Sequence, residues 1–351
     1  MKIALIGESG VGKTTFLCAL YETLRVGNSS SGFYISPTAN SFDESLFLSG
    51  KLDSISFTGN GSFPPGTQKT TLWSFDLRYQ NQFVCNFEIM EYRGGILNQI
   101  FENSSDAYLK DEVDTLSAHI ALSDSVILFA DSTRLTYYED IREARRWSGV
   151  RIINQIFQSY DSFFASRNLN FLMVLTKADA IDSKWKNNNY QPLIERGTDA
   201  FNAIIEISRQ NLNWQGGIVP ISSVGEGNAE TTFQRPSRFN EPLIVTTKLI
   251  NYPKPMNIEH TLFFSIGLTL QKMRQSIYEN VKKNEQEIEG ALSQASRANS
   301  IWSLLTKKNS AAQIAQILLE QRAKDQLSLR QFDSFSYPLF TTALQKVHRV
   351  G

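Results

Sequence analysis

Lys2-Ile3-Ala4-Leu5-Ile6-Gly7-Glu8-Ser9-Gly10-Val11-Gly12-Lys13-Thr14 opens the chain, and its reading decides the rest. Residues 2–6 form a short apolar run with the character of a buried strand, and it leads directly into the pattern GxxxxGK[ST]. Glycines in such a loop let the backbone turn so that successive N–H groups point inward at a phosphate. A helix beginning near Lys13 adds the positive end of its dipole. Thr15 and the apolar Phe16-Leu17-Cys18-Ala19-Leu20-Tyr21 supply that helix. Gly7, Glu8, Ser9, Gly10, Val11, Gly12, Lys13, Thr14 and Thr15 are therefore the expected phosphate-binding residues. Lys13 would reach the β- and γ-phosphates, and the Thr14 hydroxyl would bind Mg2+.

Outward from this loop, residues 27–70 are rich in Ser, Gly, Asn and Pro and read as a long functional loop, with one helix over residues 41–52. Strands over 72–79 and 83–90 form an antiparallel hairpin through Gln80-Asn81-Gln82, and the second runs into Glu91-Tyr92-Arg93-Gly94-Gly95. A helix over 105–122 precedes the buried strand 125–130, which ends at Asp131. Ile152, Ile153, Ile156, Phe157, Tyr160, Phe163 and Phe164 then recur at the spacing of a core-facing helix stripe. Arg142, Arg145, Arg146 and Arg151 in the same region read as a solvated face. A strand over 170–175 ends in Thr176-Lys177-Ala178-Asp179, a long helix covers 192–211, and a strand over 217–221 runs into Ser222-Ser223. Strands alternating with helices predict an α/β fold: a mostly parallel sheet with one antiparallel edge strand and helices on both faces.

In such a sheet the carboxyl ends of separate strands converge on one ligand. The Asp179 carboxylate can accept paired hydrogen bonds from guanine N1–H and the exocyclic amine. Adenine has no matching donor pair, so a polar site of this kind rejects it. The Lys177 stem can lie over the base, and Ser222-Ser223 can offer the guanine carbonyl a backbone N–H. With this set the chain resembles a P-loop GTPase of the Ras-like, translation-factor-related class: Thr176-Lys177-Ala178-Asp179 as guanine motif, Glu91-Tyr92-Arg93-Gly94 as third motif, Ser222-Ser223 as base-contact loop. It is similar in detail to the bacterial double-GTPase-like group, which shares a long first switch, a double glycine in the second, and a helical tail. The resemblance covers residues 1 to about 225.

The resemblance implies GTP and GDP as ligands, Mg2+ as metal, and switch loops that change a partner surface on hydrolysis. It assigns metal binding to Thr14, Glu91 and a switch threonine. Gly66-Thr67-Gln68-Lys69-Thr70-Thr71 offers Thr67 first and Thr70 next, and Thr38 follows Pro37. Lys13, Thr67, Arg93 and Gly94 are the expected catalytic residues. Two departures stand out. Glu91 replaces the usual Asp and is one methylene longer, and Gly95 stands where a water-orienting Gln is often found, so hydrolysis by the chain alone is expected to be slow. The alternatives are a GTP-binding scaffold that hardly hydrolyses and a P-loop ATPase or small-molecule kinase, the latter opposed by Asp179.

The 351 residues suffice for a nucleotide-binding domain over 1–225, a Pro- and polar-rich connector over 226–256, and a helical region over 257–351. In that last region Ile277, Val281, Ile288 and Leu292 are spaced for one amphipathic helix, and Ile314, Ile317 and Leu318 for another over 310–324. With 35 basic and 35 acidic residues, the charge balance gives no global case for nucleic acid or an anionic membrane. The partners expected are guanine nucleotide and a protein that meets the switch loops or the helical tail. Cys18 and Cys85 make no metal-ligand spacing and read as packed thiols. The N-terminal apolar run is too short for a secretory segment, and residues 261–270 are half a membrane span, so a cytoplasmic protein is expected.

Overall fold

The first strand, β1 (Lys2–Ile6), exposes none of its residues because it lies inside an eight-stranded sheet. The computed structural model describes residues 1–25, 31–38, 42–43, 46–50, 63, 70–93, 95–99, 107–159, 169–211, 213–235, 241–296 and 301–350. Along the chain the other strands of the sheet are β2 (Phe33–Pro37), β3 (Thr71–Tyr79), β4 (Gln82–Glu91), β5 (Ser125–Asp131), β6 (Leu169–Thr176), β7 (Trp214–Pro220) and β10 (His348–Val350). Their spatial order is β10-β7-β6-β5-β1-β4-β3-β2. β1 pairs in parallel with β4 on one side and β5 on the other, and β6 and β7 continue in parallel. The chain therefore changes direction of sheet growth at β1, and the crevice outside the carboxyl ends of its strands is the place for a ligand. Glu91, Asp131, Thr176 and Pro220 end the parallel strands at that same edge.

The sheet is mostly parallel, as the alternation predicts, and mixed at its flanks. β3 runs against both β2 and β4, and β10 runs against β7. The β3–β4 turn uses Gln80 and Asn81, both at positive φ (46° and 69°), the two-residue geometry that matches strand twist. The edge strands β2 and β10 were not expected. β2 lies within the stretch read as loop, where its pairing with β3 gives five otherwise weak residues a ladder. The expected helix over 41–52 is described only at 42–43 and 46–50, which are helical.

Helices cover both faces of the sheet. Ala4 and Ile6 join a core with Leu116 and Ile120 of the helix Ala107–Leu122, Ile153 and Phe157 of the helix Val150–Ser159, Leu193 of the helix Ser183–Ala200 and Ile204 of the helix Asn202–Gln210. On the opposite face Phe16, from the helix Lys13–Leu24, meets Phe129 of β5 edge to face, with ring centroids 5.2 Å apart. The single helix expected over 192–211 is two helices. The first begins at Ser183 and is broken where Asn188, Asn189 and Tyr190 take left-handed backbone, and Phe201 separates the two. Gly197 lets this element sit directly on the sheet, since a Cβ there would stand 2.7 Å from Ile218 Cδ1 and 2.9 Å from Leu175 Cδ1. Gly197→Val is expected to destabilise the fold by about 1–3 kcal/mol through overpacking, read from the midpoint of urea unfolding. An unchanged midpoint would show that the helix is not seated there.

The stretch read as a connector holds a separate antiparallel hairpin, β8 (Ala229–Gln234) with β9 (Ile244–Leu249). Two long helices follow, Ile258–Ser296 and Ile301–Leu344. The chain divides into two compact units, Met1–Ile266 with Thr342–Gly351, and Gly267–Thr341. Within the second unit Leu268, Leu270, Val281, Phe335 and Leu339 are buried, and Arg274 pairs with Asp333 at 2.6 Å. Ile317, expected on an apolar face, is exposed. Tyr160, Phe163 and Phe164 lie outside the described residues.

Candidate nucleotide-binding site

The loop after β1 is shaped by its glycines. Gly10 and Gly12 take φ of 77° and 100°, conformations that L side chains rarely adopt. The Lys13 ammonium folds back over the loop and donates to the carbonyls of Gly7 (2.6 Å) and Glu8 (3.0 Å). It also lies 5.3 Å from the centre of the Tyr92 ring, whose hydroxyl accepts from the Gly7 N–H at 2.9 Å. Burial lowers the Lys13 pKa to about 8, against the opposing pull of Glu91 and Glu8. The Thr14 hydroxyl donates to the carboxylate of Glu91, which is almost fully buried at the end of β4. Two hard oxygen donors, one from the first turn of the helix Lys13–Leu24 and one from the end of β4, thus meet beside the phosphate loop.

At the ends of β6 and β7 a second cluster forms. The Thr176 hydroxyl donates to the Ala130 carbonyl at 3.0 Å and ties β6 to β5. Lys177 adopts left-handed backbone (φ 55°), and its ammonium donates to Asp131 at 2.6 Å. Asp131 also accepts from the Thr133 N–H (3.0 Å) and hydroxyl (2.5 Å). Burial pushes its carboxyl up, yet Lys177 and these hydrogen bonds outweigh it and hold the pKa below the ordinary value. Asp179 moves the other way: burial raises it, although a hydrogen bond from Ser222 and the charge of Lys186 oppose the shift. Of the pair Ser222-Ser223, only Ser223 lines the cavity. The Ser222 N–H donates to Met256 O at 3.1 Å, and its hydroxyl oxygen accepts from the N–H groups of Val224 (3.2 Å) and Gly225 (2.7 Å). The backbone N–H expected from this pair is therefore already engaged at Ser222.

Both clusters open into one cavity of 390 Å³, a size that suits a bound small molecule. Residues Ser9 to Thr15 line one part, and Thr176, Lys177, Asp179, Ala180 and Ser223 line another. A model of the Double-GTPase 2 family matches residues 2–230. The chain belongs to the Double-GTPase 2 family. A chain of the signal recognition particle receptor SRb-GTP/SRX complex from Chaetomium thermophilum is 14% identical, over 65% of this chain and 95% of its own, with a TM-score of 0.32. Among curated proteins none matches in sequence.

In this Double-GTPase 2 chain the remaining expected residues fall into four groups. Gly7 and Glu8 do not line the cavity, but their carbonyls hold Lys13. Thr38 and Thr70 do not line it either, and the Thr38 N–H donates to Ser74 O at 3.2 Å. Thr67 and Gly94 lie outside the described residues. Arg93 is paired with Glu112 at 3.2 Å, and Gly95 is exposed. Sequence reasoning missed Asp131 as the anchor of Lys177. It missed Phe63, Val224, Val245 and Thr247 as cavity-lining residues as well. The end of a buried strand pointed to Asp131, whereas nothing in the polar connector pointed to Val245 and Thr247.

Proposed function

We propose that this chain is a molecular switch that binds GTP, hydrolyses it to GDP and phosphate, and uses its switch loops and helical tail to address a protein partner in the cytoplasm. The observation that carries the proposal is the single cavity in which the loop of Lys13 and Thr14 faces Lys177, Asp179 and Ser223. Family membership supports it. Lys13 exchanges its two loop carbonyls for phosphate oxygens, and the loop N–H groups cradle the phosphates. Asp179 reads the guanine edge, and the Lys177 stem, anchored by Asp131, lies over the base. Mg2+ fits the oxygen donors of Thr14 and Glu91, which would hold it, with Thr67 as the proposed third residue. Bound there, it would neutralise charge on the phosphate oxygens.

The scaffold reading, binding with hardly any hydrolysis, is favoured by one observation: Gly95 has no side chain to orient a water. Binding of GTP, GDP and ATP analogues followed by single-turnover hydrolysis in Mg2+ tests both readings. Guanine binding with slow phosphate release, on the order of 10⁻⁴ per second, supports the switch. Guanine binding with no release over a day supports the scaffold, and equal competition by ATP overturns both. Because Arg93 is held by Glu112, Arg93→Ala is expected to change the basal rate less than about twofold. A tenfold loss would show instead that the guanidinium moves to the phosphates and stabilises charge there.

A further inference from the structure

One wall of the nucleotide cavity comes from the hairpin β8–β9, beyond the last guanine-contact loop. Along β9 the side chains alternate: Ile244, Thr246 and Lys248 are exposed, while Val245 and Thr247 turn inward and line the cavity. Leu249, next in the inward row, is buried against Val224, which follows Ser223 directly. The hairpin is held at both ends. The Leu243 N–H donates to the Tyr138 hydroxyl at 2.9 Å, and the Ile250 and Asn251 N–H groups donate to Asn228 O at 3.0 and 3.2 Å. Asn228 in turn donates through Nδ2 to Val224 O at 2.9 Å. The inward row is thus fastened, through Val224 and Asn228, to the segment that carries the base-side residue Ser223.

We propose that this hairpin is a retaining wall for the nucleoside, and that Val245 and Thr247 set how long a guanine nucleotide stays bound. The inference rests on the guanine-binding reading above. An apolar side chain packed against a bound nucleoside must lose that contact before release, so its effect falls on the dissociation rate.

The test uses the full chain loaded with fluorescent GDP and chased with excess unlabelled GDP. Val245→Ala combined with Thr247→Ala is expected to accelerate release about tenfold, from the contact area removed. Ile244→Ala and Thr246→Ala, outward on the same strand, are expected to stay within about twofold of the parent. The isosteric Val245→Thr keeps the shape of the strand and is expected to accelerate release about threefold, which keeps the test open if the double variant does not fold. Val245→Trp is expected to block loading, and Thr246→Trp to leave it intact. Release from every inward variant at the parental rate would overturn the wall. A parent that binds no guanine nucleotide would overturn the guanine reading itself, a separate result from a binding parent whose inward variants behave normally.

Discussion

Asp179→Asn is expected to weaken GDP binding on the order of a thousandfold and to turn preference toward xanthine nucleotides. The carboxylate offers two acceptors to the two N–H donors of guanine. The amide offers one acceptor and sets a donor against a donor, leaving buried polar groups unpaired. Xanthine carries a carbonyl where guanine carries its amine, so the amide N–H regains a partner. Titrating GDP and XDP against parent and variant checks this, and a variant that binds GDP as the parent does would remove Asp179 from base recognition. The pH dependence has a definite sign. Burial raises the Asp179 pKa above its ordinary value, so the carboxylate form is lost as pH falls through that raised pKa. Guanine affinity is therefore expected to decline on the acid side earlier than an exposed aspartate would impose. The Asp179→Asn variant should lack that titration.

Lys13→Ala is expected to lower affinity for GTP and GDP at least about a hundredfold, because it removes a positive charge at the phosphate loop. The structure separates this effect from loss of fold. Burial already depresses the Lys13 pKa to about 8, so the unliganded protein carries that charge at a cost. The variant is expected to melt no lower than the parent while losing the rise in melting temperature that added nucleotide gives the parent. A variant that gains as much stability from GTP as the parent does would show that the Lys13 charge is not what holds the nucleotide. A lower melting point without nucleotide would show that the bonds from Lys13 to Gly7 O and Glu8 O brace the loop more than burial opposes them.

Much of the sheet was legible because its parallel strands are buried on both faces and read as unbroken apolar runs. Residues 125–130 and 170–175 are examples, and each ends where a polar residue reaches the crevice. The edges were not legible. β2 and β10 carry no such run, and they become strands only because β3 and β7 offer them a ladder. The hairpin β8–β9 shows weak alternation, since most of its side chains face solvent, and its Thr-rich text resembles loop. The break at residues 187–190 was likewise hidden, because asparagine is at home in both turns and exposed helix positions.

What the amino-acid sequence determined by itself is the phosphate loop and the residue types around the guanine edge. Those features depend on neighbours within a few positions: a strand that ends at Ile6, glycines that permit left-handed backbone, a helix that starts at Lys13. Only the tertiary structure decided which groups face the cavity. Ser222 is withdrawn by Met256, 34 residues further along the chain, and Ser223 is left at the surface of the site. Lys177 is steered by Asp131 from the adjacent strand, and Val245 and Thr247 arrive on a hairpin whose seat is Val224. These are contacts between distant segments, and they exist only once the sheet has brought the carboxyl ends of its strands together.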